Sequence, residues 1–131
     1  SFSVAAILRI AIGIASAAAH LHAQGIMHGD LYAHNILVNA DRHTLLGDFG
    51  AASSYDLTDS ISGLALERLE VRAFGCLLED LLDRCQVQGN EVEKWAIYRL
   101  DKLRQDCLHS IPIKRPLFVE IELILGEALI D

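Results

Sequence analysis

Apolar residues recur at Ile7, Ala11, Ile14, Ala18 and Leu21. Steps of three and four predict a helix buried along a broad face. Alanines at 15, 17, 18 and 19 let a neighbouring helix approach closely, and Gly25 suits the helix C-terminus. Two short apolar runs follow, 36–38 and 44–46, on either side of 39–43. They predict a hairpin-like pair of strands. Residues 51–64 are rich in Ser, Asp, Ala and Gly, which predicts a mobile loop. From 65 to 85 the pattern is helical again, and Gln88, Gly89 and Asn90 break it. A third helix with alternating charges is predicted over 91–108. Pro112 and Pro116 bracket a loop, and a last helix is predicted over 117–130. No repeat or low-complexity tract interrupts this order.

The bulk numbers change this picture little. A chain of 131 residues, 52% hydrophobic, fits one domain with a sizeable core. The net charge of −7 argues against a nucleic-acid footprint. Cys76, Cys85 and Cys107 are too few and too scattered for a disulfide framework, so a reduced, cytoplasmic setting is the expectation. The apolar stretch from Val4 to Ala23 carries Arg9, His20 and His22. It is therefore expected to be a core helix, not a membrane span. The chain begins at Ser1 without an initiator methionine and is expected to be a piece of a longer protein. His20, His22, His28 and His34 stand at spacings that match none of the common zinc patterns.

The chemistry concentrates in residues 28–50, HGDLYAHNILVNADRHTLLGDFG. An H-x-D-L-x-x-x-N run precedes D-F-G by a short hairpin's length. This segment resembles the catalytic and magnesium loops of the eukaryotic-type protein kinase family. Three further stretches resemble the same family in the same order. Residues 7–27 are similar to the helix before the catalytic loop. Residues 70–82, EVRAFGCLLEDLL, are similar to the central helix of the large lobe, usually D-V-W-S-F-G. Residues 107–121, CLHSIPIKRPLFVEI, are similar to the closing R-P-x-F element. HGDLYAHN together with LERLEVRAFGCLLEDLL looks most like kinase domains of bacterial leucine-rich-repeat kinases.

The resemblance implies a mainly α fold: the large, C-terminal lobe of a protein-kinase-like domain over residues 1–131, with short β-hairpins around the catalytic and D-F-G loops. It implies ATP- and magnesium-dependent phosphoryl transfer to Ser/Thr hydroxyls of a protein substrate. Asp30 would take the hydroxyl proton. Asn35 and Asp48 would hold magnesium on the phosphates. Leu37 would lie beneath the adenine. His28, Phe49, Gly50 and Glu70 would support the site, with Glu70 bracing the catalytic-loop backbone from the start of the central helix. The Gly-rich loop, the strand lysine and its glutamate partner belong to a lobe not found in this sequence. The chain alone is therefore expected to be inactive.

Departures from the pattern keep two alternatives open. Gly29 replaces the arginine that pairs with a phosphorylated loop, and H-G-D is also the form of small-molecule phosphotransferases. Tyr32 stands where serine/threonine kinases carry a lysine, and His34 where tyrosine kinases carry an arginine. Such losses fit a pseudokinase acting as a binding module. Glu67 is too near Glu70 to be the A-P-E glutamate, and Asp59 lacks the A-P flank, so Arg115 has no assigned partner.

Overall fold

The computed structural model describes residues 2–29, 31 and 53–129. The predicted strand pair over 36–46 lies outside them. Ser3 opens helix α1, Val4–Ala23, by accepting the Ala6 N–H at 3.1 Å. Nine α1 residues are buried, from Val4 through Ile7, Ala11, Ile14 and Ala18 to His22. The helix is long and apolar enough to cross a membrane, but here its inward stripe forms the centre of the core, against the other helices.

Gly25 ends the α1 turn with φ +74°. A Cβ there would also lie 2.7 Å from the Tyr55 carbonyl oxygen. Glycine is thus required twice, by backbone and by space. Strand β2, Ile26–Met27, then pairs antiparallel with β3, Ser53–Ser54, in the register Ile26↔Ser54 and Met27↔Ser53. The Tyr55 N–H continues the contact to the Gly25 carbonyl at 2.6 Å. This short ribbon joins the two ends of the 28–52 segment.

Helix α2 spans Ser60–Asp83. The expected loop over 51–64 therefore ends at 59, and residues 60–64 are helical. Asp59 caps the helix by accepting the Ser62 N–H at 3.1 Å. Gly63 packs beneath the Tyr55 ring, where a Cβ would meet Tyr55 Cε2 at 3.3 Å. Glu70 consequently sits ten residues inside a continuous helix and not at its start. The C-terminal half of α2 buries Val71, Phe74, Leu77, Leu78 and Leu81. Strand β4, Cys85–Gln86, follows and pairs in parallel with β1, Phe2–Ser3.

Helix α3, Glu91–Cys107, starts at an Asn90 cap that accepts the Glu93 N–H at 2.8 Å. Glu91 and Glu93 in its first turn suit the positive end of the helix dipole. Ala96, Leu100, Leu103 and Cys107 form its buried stripe against α2. Gly75 of α2 lets the two helices close up, since a Cβ there would come within 2.9 Å of Leu108 Cγ and 3.0 Å of Cys107 Cβ. The predicted loop at Pro112 contains one 3-10 turn, Pro112–Lys114. Helix α4, Phe118–Leu129, buries Phe118, Ile121, Leu125 and Ala128 and packs on α1. The result is mainly α, as expected, with two minimal strand pairs among the described residues.

Candidate functional site

The site is built around a buried carboxylate. Glu70, 3% exposed, projects from α2 toward the end of β2. Its Oε1 accepts the His28 N–H at 2.9 Å, and its Oε2 accepts the Gly29 N–H at 2.7 Å. His22 Nε2, from the last turn of α1, lies 2.8 Å from the same Oε1. Burial by itself would raise the carboxyl pKa. The His22 contact and the two backbone N–H groups outweigh it and hold Glu70 below its ordinary range.

Gly29 has φ +85°. An L side chain rarely adopts this conformation, so the turn that delivers the Gly29 N–H to Glu70 explains the glycine where the family pattern has arginine. Leu31 is buried at 1% exposure within the main core. The backbone is thus fastened on both sides of Asp30. His28 is fully buried. Asp30, Asn35, Leu37, Asp48, Phe49 and Gly50 lie outside the described residues, as does any contact of His28 with Phe49.

Sequence reasoning missed two members of this cluster. His22 is buried, with Nδ1 2.6 Å from the Tyr55 hydroxyl and its ring stacked on Phe118, centroids 5.6 Å apart at 18°. The available signal was a polar residue four positions beyond Ala18, on the apolar face of α1. Both ring nitrogens have partners, and among the described residues no group of three His, Cys, Asp or Glu could hold a metal ion. Tyr55 had no signal of its own, because only the β2–β3 register brings it to His22. Burial, with the charges of Glu67 and Glu70, raises its phenol pKa and keeps it neutral. Beside it opens a cleft of about 210 Å³ lined by Leu57, Asp59, Leu64 and Glu67.

The acidic residues weighed as partners of Arg115 are engaged otherwise than the family pattern implies. Glu67 Oε2 accepts the Phe118 N–H at 2.8 Å and so caps α4 from a distance. Asp59 caps α2. Arg115, 7% exposed, donates Nε–H to the His109 carbonyl at 2.8 Å and Nη1–H to the Arg68 carbonyl at 3.1 Å. Among the described residues its guanidinium rests on carbonyl oxygens and not on a carboxylate.

Residues 1–77, more than half the chain, match the protein tyrosine and serine/threonine kinase family. The chain belongs to that family. A probable serine/threonine-protein kinase of Dictyostelium discoideum is 29% identical over 153 residues, covering 91% of this chain and 17% of the relative. The calmodulin-binding receptor kinase CaMRLK of Arabidopsis thaliana is 35% identical over 97 residues, 74% of this chain and 14% of that protein. The Arabidopsis serine/threonine-protein kinase AtPK1/AtPK6 is 51% identical over 43 residues, 33% of this chain and 9% of that protein. The chain thus spans less than a fifth of the length of these relatives. No solved structure matched significantly.

Proposed function

We propose that this chain is the large lobe of a kinase that transfers the γ-phosphoryl group of ATP to protein Ser/Thr hydroxyls, with magnesium. The observation that carries the reading is the fastening of the backbone around Asp30. Gly29 is tied to Glu70 on one side, and Leu31 is anchored in the core on the other. A proton acceptor must be held within hydrogen-bond reach of the attacking hydroxyl, and a backbone fixed on both flanks meets that need. Asp30 takes the proton. The Asn35 amide oxygen and the Asp48 carboxylate are hard oxygen donors of the kind magnesium prefers. The ion, when bound, neutralises charge on the phosphates. Leu37 supports the adenine, while His28, Phe49 and Gly50 keep the two loops in register. The serine/threonine assignment leans on the names of the relatives, and the narrower likeness to bacterial leucine-rich-repeat kinases leans on residues 28–35 and 66–82. A cytoplasmic setting and inactivity of this chain by itself belong to the same proposal.

A second reading, transfer to a small-molecule hydroxyl, is favoured by one observation. Only residues 55–59 separate β3 from α2, which leaves little chain for a peptide-docking segment. Both readings are tested in the full-length protein by comparing wild type with Asp48→Asn, using Mg-ATP and a Ser/Thr protein substrate. Asp48→Asn is expected to abolish transfer while circular dichroism stays unchanged. Undiminished turnover in a folded variant refutes the assignment. ATP turnover that phosphorylates only small alcohols, never protein, selects the second reading.

A further inference from the structure

We infer that Tyr55 and His22 are positioning residues that transmit the placement of the segment after D-F-G to the backbone beside Asp30. This rests on the phosphotransfer reading only for its effect on turnover. The hydrogen bonds themselves form an unbroken chain. The Tyr55 hydroxyl meets His22 Nδ1 at 2.6 Å, and His22 Nε2 meets Glu70 Oε1 at 2.8 Å. Glu70 in turn holds the His28 and Gly29 N–H groups. Each link joins a different element: the segment after β3, then α1, then α2, then the turn after β2.

Counting protons shows why a tyrosine suits this place. Glu70 accepts only, so His22 Nε2 must carry a hydrogen. In the neutral imidazole, Nδ1 is then an acceptor and the Tyr55 O–H donates to it. In the imidazolium, Nδ1–H donates to the Tyr55 oxygen, and the Tyr55 O–H turns to the His22 carbonyl, 3.1 Å away. Every buried group is satisfied in either state without moving a heavy atom. Among the described residues, the groups facing the ring are Glu70 from α2, Tyr55, the Phe118 ring from α4, and Glu67 across the cleft. The Tyr55 ring is itself seated on Gly63, and its N–H is held by the Gly25 carbonyl. A shift of residues 53–55 therefore pulls on His22, and through it on the carboxylate that anchors the turn.

Removing the phenol oxygen leaves Nδ1 unpaired in a buried site. The ring then gains freedom to tilt, and Glu70 loses its fixed donor. Asparagine and glutamine separate the two halves of the relay. In His22→Asn the shorter amide reaches the place of Nδ1 and keeps the Tyr55 contact. In His22→Gln the longer amide reaches the place of Nε2 and keeps the Glu70 contact.

The test uses the full-length protein, with kcat expressed per folded molecule. Tyr55→Phe is expected to lower kcat about tenfold while KM for ATP moves less than twofold. His22→Gln should match Tyr55→Phe within threefold, and Tyr55→Phe added to it should cost nothing more. His22→Asn should be worse by a further tenfold. Amide hydrogen exchange supplies a readout independent of activity. Exchange at His28 and Gly29 should speed up at least tenfold in Tyr55→Phe, with Leu100 and Leu103 unchanged. Unchanged exchange at His28 and Gly29, or Tyr55→Phe and His22→Gln effects that multiply, overturns the relay. Wild-type turnover in an Asp30→Asn control removes the phosphotransfer reading instead, and the exchange data then decide the relay alone.

Discussion

Replacing Glu70 by Gln changes one oxygen to an NH2 group and leaves the volume alone. The carboxylate serves three donors with two oxygens: His22 and His28 on Oε1, Gly29 on Oε2. An amide has one accepting oxygen. Turned toward His22 and His28, it points an NH2 at the Gly29 N–H from the place where an oxygen stood 2.7 Å away. The lost acceptor costs about 1 kcal/mol, the low end of the usual range because water reaches Gly29. The two remaining bonds lose their charge assistance, roughly 1 kcal/mol each. The sum is about 3 kcal/mol, a large share of the ~5–15 kcal/mol that holds a domain folded. For a chain of this size it corresponds to a Tm drop of roughly 10 °C.

Urea denaturation followed by circular dichroism measures this loss, and its pH dependence identifies the cause. Glu70 has its pKa depressed in the folded state, below an ordinary value near 4.5. Its ionised form therefore stabilises the fold fully above pH ~4.5, and the contribution fades as pH falls through the lower folded pKa. Glu70→Gln cannot ionise, so the gap between wild type and variant should be widest near pH 7 and close progressively below pH ~4.5. A gap under about 0.5 kcal/mol at pH 7, or one that does not narrow in acid, refutes the reasoning.

Two glycine substitutions should act in opposite directions. Gly75→Ala drives a Cβ into Leu108 and Cys107 and should destabilise by about 1 kcal/mol, overpacking outweighing the helix-propensity gain. Gly126→Ala in α4 meets nothing within 4 Å and should stabilise by about 0.5–1 kcal/mol in the same denaturation assay. Burial, reinforced by the Asp106 charge, pushes the Cys107 thiol well above its usual range. Cys107 should therefore resist iodoacetamide at pH 8 in the folded protein and react once urea is added, as read by mass spectrometry of its peptide. Alkylation of Cys107 at the unfolded rate without denaturant would contradict the packing of α2 on α3.

The periodic stripe of α1, the helical pattern of α3 and the breaks at Gly25 and Gln88–Asn90 were legible because each is written in consecutive residues. A helix with apolar groups every three or four positions has one face that must leave water, whatever it packs against. The order of H-x-D-L-x-x-x-N, D-F-G and R-P-x-F was legible for a related reason, since each motif is written in consecutive residues. Residues 60–64 read as loop because Ser and Gly disfavour helix locally. A local cap and a packing contact made them helical: Asp59 caps the start, and Gly63 is the residue on which the Tyr55 ring can rest. Glu67 gave no local sign that it would cap α4, nor His22 that it would bridge Tyr55 and Glu70, partners 33 and 48 residues away. Gly29 read as a lost arginine until its backbone turn gave it a conformational reason. Local propensity and periodicity decide what a segment can form. A buried polar group must find its partner wherever the fold brings one, and only the assembled helices determine which residue that is.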